Sequence, residues 1–238
     1  MYKIIILILS SNSELYNEFK RLQLLYLNKY NPLIKFFFIE FKDNQEEDVI
    51  ESSNTLYFKG SESVTPGMII KTSLAINYLK NKYDYDFIFR TNLSTLINIH
   101  NLCEHINTLP KENVCSGFIV FGFITGTGII MSKNVAELIA DNYEKFNYTC
   151  TCEDVLITNM FNHYNIQYTQ PSKYWWGLIV DVNDREREQW KIYYTENKYK
   201  QFDYLNNIMH YRIKNGNRDI DILYFKELLK KIYNIESE

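Results

Sequence analysis

The stretch Lys3-Ile4-Ile5-Ile6-Leu7-Ile8-Leu9-Ser10-Ser11-Asn12-Ser13 decides the reading of the fold. Its apolar core, residues 4–9, is too short to span a bilayer. It does not alternate with polar residues, so the strand it forms is buried on both faces. Lys3 before the run gives it the look of a signal-peptide core. No small-residue cleavage site follows, and a buried first strand is the better reading. The polar residues end the strand, and Ser13 is placed to cap a helix over 13–29. Leu15, Phe19, Leu22 and Tyr26 recur on that helix at spacings of three and four.

Working outward, Asn31-Pro32 breaks the helix and 33–41 reads as a second strand. A polar loop over 43–54 leads to a short strand at 56–58. Pro66-Gly67 opens a helix reaching about Tyr83, and 86–90 is a further core strand. This β-α-β-β-α-β order predicts an α/β fold, a mixed and mostly parallel central sheet flanked by helices. Such sheets bind ligands beyond the carboxyl ends of their strands. That places Ser10, Ser11 and Asn12 and the segment 91–94 at the expected site. Further on, 114–123, 128–131 and 166–168 read as strands, and 133–146, 153–164, 199–209 and 219–232 as helices. Residues 173–184 show no clear period. With no repeat or linker, one domain over 1–238 is expected.

Composition narrows the function. The chain has 238 residues, enough for one large domain or two intimate halves. Lys and Arg number 26 against 29 Asp and Glu, a net charge of -3, so no basic excess exists to neutralise nucleic-acid phosphates. The 46% hydrophobic and 16% aromatic content excludes disorder. Cys103, Cys115, Cys150 and Cys152 are too unevenly spaced for a disulfide framework, and reduced thiols in a cytoplasmic protein are expected. A zinc site at Cys150 and Cys152 has only His163 near it. No membrane span is expected.

Four segments carry a resemblance. Asp86-Phe87-Ile88-Phe89-Arg90-Thr91-Asn92-Leu93-Ser94 ends a strand in a polar turn. Thr125-Gly126-Thr127-Gly128-Ile129-Ile130-Met131-Ser132 reads as a glycine turn running into a strand. Cys152-Glu153-Asp154-Val155 starts a helix, and His210-Tyr211-Arg212 lies near the end. In this order, over roughly residues 60–215, they resemble GT-A-fold glycosyltransferases. The nearest pattern is the β-1,3-galactosyltransferase and Fringe group with related enzymes of large DNA viruses of algae. The resemblance implies a GT-A-like domain, with about 1–98 as the nucleotide-sugar half and about 99–238 as the acceptor half with C-terminal helices. It implies transfer of a hexose or pentose from a UDP-sugar to a glycan or glycoprotein acceptor, with inversion. For a viral protein the place would be the host cytoplasm.

Roles follow residue by residue from that resemblance. Asp154 is the general base, against the plainer reading that Glu153 and Asp154 complement a helix dipole. Glu153 orients the donor sugar or the base. Ser10, Ser11, Asn12, Lys71, Arg90, Thr91, Asn92 and Ser94 fall on the donor side. His210, Arg212 and Lys214, with Arg218, form a basic cluster suited to a diphosphate, or else a solvated loop. Gly126 and Thr127 let the backbone approach a sugar. Trp175 and Trp176 are a sugar platform or core aromatics. The family's acidic metal turn is here Asn92-Leu93-Ser94, which supplies no charge to Mn or Mg. Three readings stay open. A metal is held with help from Ser94 and His210, cationic side chains replace it, or catalysis is lost and the protein only binds nucleotide sugars or glycans. A glycoside hydrolase using Glu153 and Asp154 is disfavoured, since neighbours on a helix point about 100° apart.

Overall fold

The computed structural model describes residues 2–30, 34–145, 153–171, 175–179, 208–214 and 217–237. Its elements are β1 (Tyr2–Leu9), α1 (Glu14–Leu27), β2 (Ile34–Lys42), β3 (Val49–Ser52), β4 (Thr55–Lys59), α2 (Gly67–Lys80), β5 (Tyr85–Asn92), β6 (Thr95–Ile97), α3 (Ile99–Asn107), β7 (Cys115–Val120), β8 (Phe123–Ser132), α4 (Lys133–Asn142), α5 (Glu153–His163), β9 (Tyr168–Thr169), β10 (Trp175–Ile179), β11 (Ile208–Ile213) and α6 (Arg218–Tyr233). They fall into two compact units. The first takes Met1–Tyr16, Tyr30–Leu93 and Leu109–Pro171; the second takes Asn17–Lys29, Ser94–Thr108 and Ser172–Glu238.

The first unit is built on a sheet ordered β3-β4-β2-β1-β5-β8-β7-β9. Its middle is parallel: β1 pairs with β2 and β5, and β2 with β4. Beyond β5 the sheet turns antiparallel through β8 and β7. The expected mixed, mostly parallel sheet is therefore present. Ile4 to Ile8 of β1 are wholly buried, as a strand covered on both faces requires. Helices α2 and α4 pack together, with Asn77 Nδ2–H donating to the Ala140 carbonyl at 3.1 Å. The core joins β1, β2 and β5 to α2, α4 and α5 through residues such as Phe37, Ile76, Ile139 and Phe161.

The second unit has a smaller sheet, β10-β11-β6, with β11 parallel to β10 and antiparallel to β6. Aromatic pairs hold its helices: Phe19 meets Phe225 edge-on at 5.7 Å, and Tyr26 stacks on Tyr233 at 4.7 Å. Gln23 is buried because it is satisfied. Its Nε2–H donates to the Thr95 carbonyl at 2.8 Å, and the Tyr26 hydroxyl donates to its Oε1 at 2.6 Å.

Several expectations are corrected. The segment 199–209 was expected to be helical, but Ile208–Ile213 is a strand, because β6 and β10 offer it ladders on both edges; 199–207 lie outside the described residues. Part of the expected loop 43–54 is the strand β3, whose Val49 and Ile50 pair with Phe58 and Tyr57. Residues 173–184 include the strand β10. Helix α2 begins at Gly67, with Pro66 at the cap position, and stops at Lys80. Strand β6 and helix α3 had no counterpart in the reading of the chain. The helix is started by Asn98, whose side chain accepts from the Asn101 N–H at 3.2 Å. Asn98→Ala is expected to cost about 1 kcal/mol in urea unfolding. Among the described residues no helix is long and apolar enough to cross a membrane.

Candidate active site

The carboxyl ends of β1, β2 and β5 lie side by side, since Leu9 pairs with both Ile39 and Asn92. Four charged side chains of the first unit, Glu40, Lys71, Arg90 and Glu153, are nearly closed to solvent. Buried charges are tolerated only when paired or hydrogen-bonded, and each has at least one such partner, although Arg90 Nε and Glu153 Oε1 are buried without a hydrogen bond among the described residues. Ser10 Oγ–H donates to Glu40 at 2.5 Å. Lys71, on α2, donates to the Ser10 carbonyl at 2.5 Å and to Glu62 at 2.7 and 2.9 Å. Burial lowers the Lys71 ammonium pKa, and Glu62 chiefly opposes that shift. Lys71 is thus held between a strand end and a carboxylate, not laid on the surface.

Arg90 closes β5. Its guanidinium donates to the Gly126 carbonyl of β8 and to the Glu153 carboxylate that opens α5. Burial pushes the Glu153 carboxyl upward; Arg90 pulls it back, and Asp154 adds to the rise. Thr91 Oγ–H donates to the Thr127 carbonyl at 2.7 Å, and Asn92 Nδ2–H to the Gly126 carbonyl at 3.4 Å. Residues 125–132 were expected to contain a glycine turn, but they continue β8 without a break. Glycine at 126 serves close approach instead of a turn. A Cβ there would run into Asp154 Oδ1 and Arg90 Nη1. Asp154 is half-buried one residue past Glu153 at the start of α5.

Helix α2 has its first two N–H groups engaged. Gly67 donates to Ser63 Oγ at 3.1 Å and Met68 to the Val64 carbonyl at 3.3 Å. Ser11 is partly exposed and Asn12 exposed, directly beyond β1.

In the second unit, β11 places His210 opposite Ile97 and Arg212 opposite Thr95. Arg212 donates to Ser94 Oγ. His210 is wholly buried, which holds its imidazole pKa down to about 3. Lys214 follows the strand, exposed. The side chains of Trp175 and Trp176, and Cys150 and Cys152, lie outside the described residues.

The donors expected for a divalent cation, Asn92, Ser94 and His210, carry no negative charge. Asn92 and Ser94 are neutral, Ser94 Oγ already faces a guanidinium, and His210 is closed off. Among the described residues no three His, Cys, Asp or Glu side chains gather as a metal site. This set does not fit a hard cation, which takes carboxylate oxygens.

Glu40 and Glu62 went unnoticed in the sequence. Glu40 had a signal: it is the single acid within the apolar run 34–41.

No family model matches the chain, and no curated protein matches it by sequence. Solved structures do. A glycosyltransferase involved in the glycosylation of the major capsid of PBCV-1 aligns with a TM-score of 0.53 at 12% identity, over 94% of this chain and 99% of that one. GlyE of Streptococcus pneumoniae TIGR4 aligns at 0.55 and 10% identity, over 98% of this chain and 64% of that one. The fold is GT-A-like. Mouse xyloside xylosyltransferase 1 aligns at 0.50 and 8% identity, over 89% of this chain and 97% of that one. In a GT-A-like fold the residues gathered at the strand ends of the first unit stand where α/β sheets place their chemistry.

Proposed function

We propose that this chain transfers a sugar from a nucleotide sugar, a UDP-sugar by our reading, to a hydroxyl of a glycan or glycoprotein, with Asp154 as general base. The observation that supports this best is the Asp154 carboxylate. It is half-buried at the first turn of α5, against Gly126 and beside a closed Arg90–Glu153 pair. Glu153 is bound to Arg90, and the Asp154 carboxylate has no such ion-pair partner among the described residues, so of the two acids Asp154 is assigned the acceptor proton.

The step forms a bond from the acceptor oxygen to the anomeric carbon and breaks the bond from that carbon to the diphosphate. The acceptor proton passes to Asp154, and the nucleoside diphosphate leaves with the electron pair. Ser11 and Asn12 supply polar contacts for the nucleotide beyond β1, with Ser10 buried beneath them on Glu40 and Lys71. Arg212 and Lys214 carry positive charge suited to the departing diphosphate. With no fitting metal donors among the described residues, binding of UDP is expected to change less than about threefold when a chelator replaces Mn in calorimetric titration. A loss of binding on chelation would return a metal to the site. Product analysis with several nucleotide sugars tests transfer itself. The uncharged triplet Asn92-Leu93-Ser94 favours a second reading, a nucleotide-sugar-binding protein without turnover. Donor binding with no product in any acceptor screen would select it. A place in the cytoplasm, of a host if the protein is viral, accords with this reading.

A further inference from the structure

We propose that Arg90 is a positioning residue: it pins the first turn of α5 to β8 and thereby sets where the Asp154 carboxylate stands, with Gly126 as the seat. The kinetic consequence rests on the transferase reading above, while the pinning itself does not. Arg90 is only 2% exposed, and a buried guanidinium must be answered on several sides. Two of its nitrogens are answered by groups from two other elements, the Gly126 carbonyl and the Glu153 carboxylate. Its Nε is buried with no hydrogen-bond partner among the described residues.

Glu153 and Asp154 diverge by about 100° on the helix. With Glu153 drawn inward onto Arg90, Asp154 is directed over Gly126. There the missing Cβ leaves room for both Asp154 Oδ1 and Arg90 Nη1. A second tie lies one turn on. Thr158 Oγ–H donates to the Asp154 carbonyl at 2.8 Å and accepts from the Ile124 N–H at 3.0 Å. The start of α5 is thus fastened to β8 at Ile124 and at Gly126. The Arg90 tie is the one that bears on the Asp154 side chain.

The test uses the full chain with Arg90→Met, Arg90→Lys and Gly126→Ala, read by amide hydrogen exchange, by turnover and by UDP affinity. In Arg90→Met, exchange over 153–158 should rise about tenfold or more while 34–42 stays unchanged. Turnover should fall about 100-fold with UDP affinity held within about threefold. Arg90→Lys, which keeps the charge, should recover a tenth or so of wild-type turnover. Gly126→Ala keeps every charge and only fills the seat, so it should lower turnover by about 30-fold or more. It also carries the test should Arg90→Met not fold.

Unchanged exchange over 153–158 would overturn the proposal. So would exchange rising equally across the sheet, or UDP affinity falling in step with turnover, since the last marks a donor ligand. If the wild-type chain moves no sugar from any donor, the transferase reading fails, and the exchange comparison still decides the pinning.

Discussion

Asp154→Asn is expected to lower kcat by about 10²–10⁴-fold while leaving UDP affinity within about threefold of wild type. The substitution keeps the shape of a side chain that lies against Gly126, so packing there is preserved and the proton acceptor alone is lost. Glu153 cannot stand in. It is 4% exposed and bound to Arg90, so it neither reaches an acceptor hydroxyl nor releases its partner without leaving a buried guanidinium uncompensated. Steady-state kinetics on a donor and acceptor pair, beside calorimetry with UDP, separates the outcomes. Unchanged kcat removes Asp154 from the base role. Equal losses in kcat and UDP affinity assign it a structural one.

The other large effect concerns acid stability. His210 has a folded pKa near 3 against an ordinary 6.5, with burial as the cause. Between those values the unfolded chain binds a proton that the folded chain does not. Stability therefore falls as pH drops below about 6.5, by about 1.4 kcal/mol for each pH unit once the unfolded imidazole is charged. A fall to pH 4.5 then costs about 3 kcal/mol through this residue alone. His210→Gln removes the titration. Its urea midpoint should depend on pH less steeply than wild type between pH 6.5 and 4.5, even where its absolute stability is lower. Parallel slopes for the two proteins would show that His210 is protonated in the folded chain.

Parts of both units were legible along the chain. The unbroken apolar run 4–9 reads best as a strand covered on both faces, and β1 is one. The periodicity of Leu15, Phe19, Leu22 and Tyr26 predicts α1, where the last three are buried and Leu15 is exposed, and Glu153 opens α5 where a helix start is expected. These readings succeed because burial imposes a period on neighbouring residues. The same local logic failed at Ile208–Ile213. A strand there depends on partners supplied by β6 and β10, far away in the chain. It failed again at residues 125–132, where glycines that suggested a turn instead admit two side chains from elsewhere.

The candidate site divides along the same line. The residue types were present in the sequence: an arginine at a strand end, an acidic pair at a helix start, a lysine within a helix, a lone acid in an apolar strand. Which charge answers which was not. Arg90 and Glu153 stand 63 residues apart, and Lys71 meets the Ser10 carbonyl across 61. Local sequence determines how a segment buries its own apolar side chains, since that depends on spacing within a few residues. The pairing of buried charges is decided only when the whole sheet is assembled, because each must find its partner among groups that folding alone brings near.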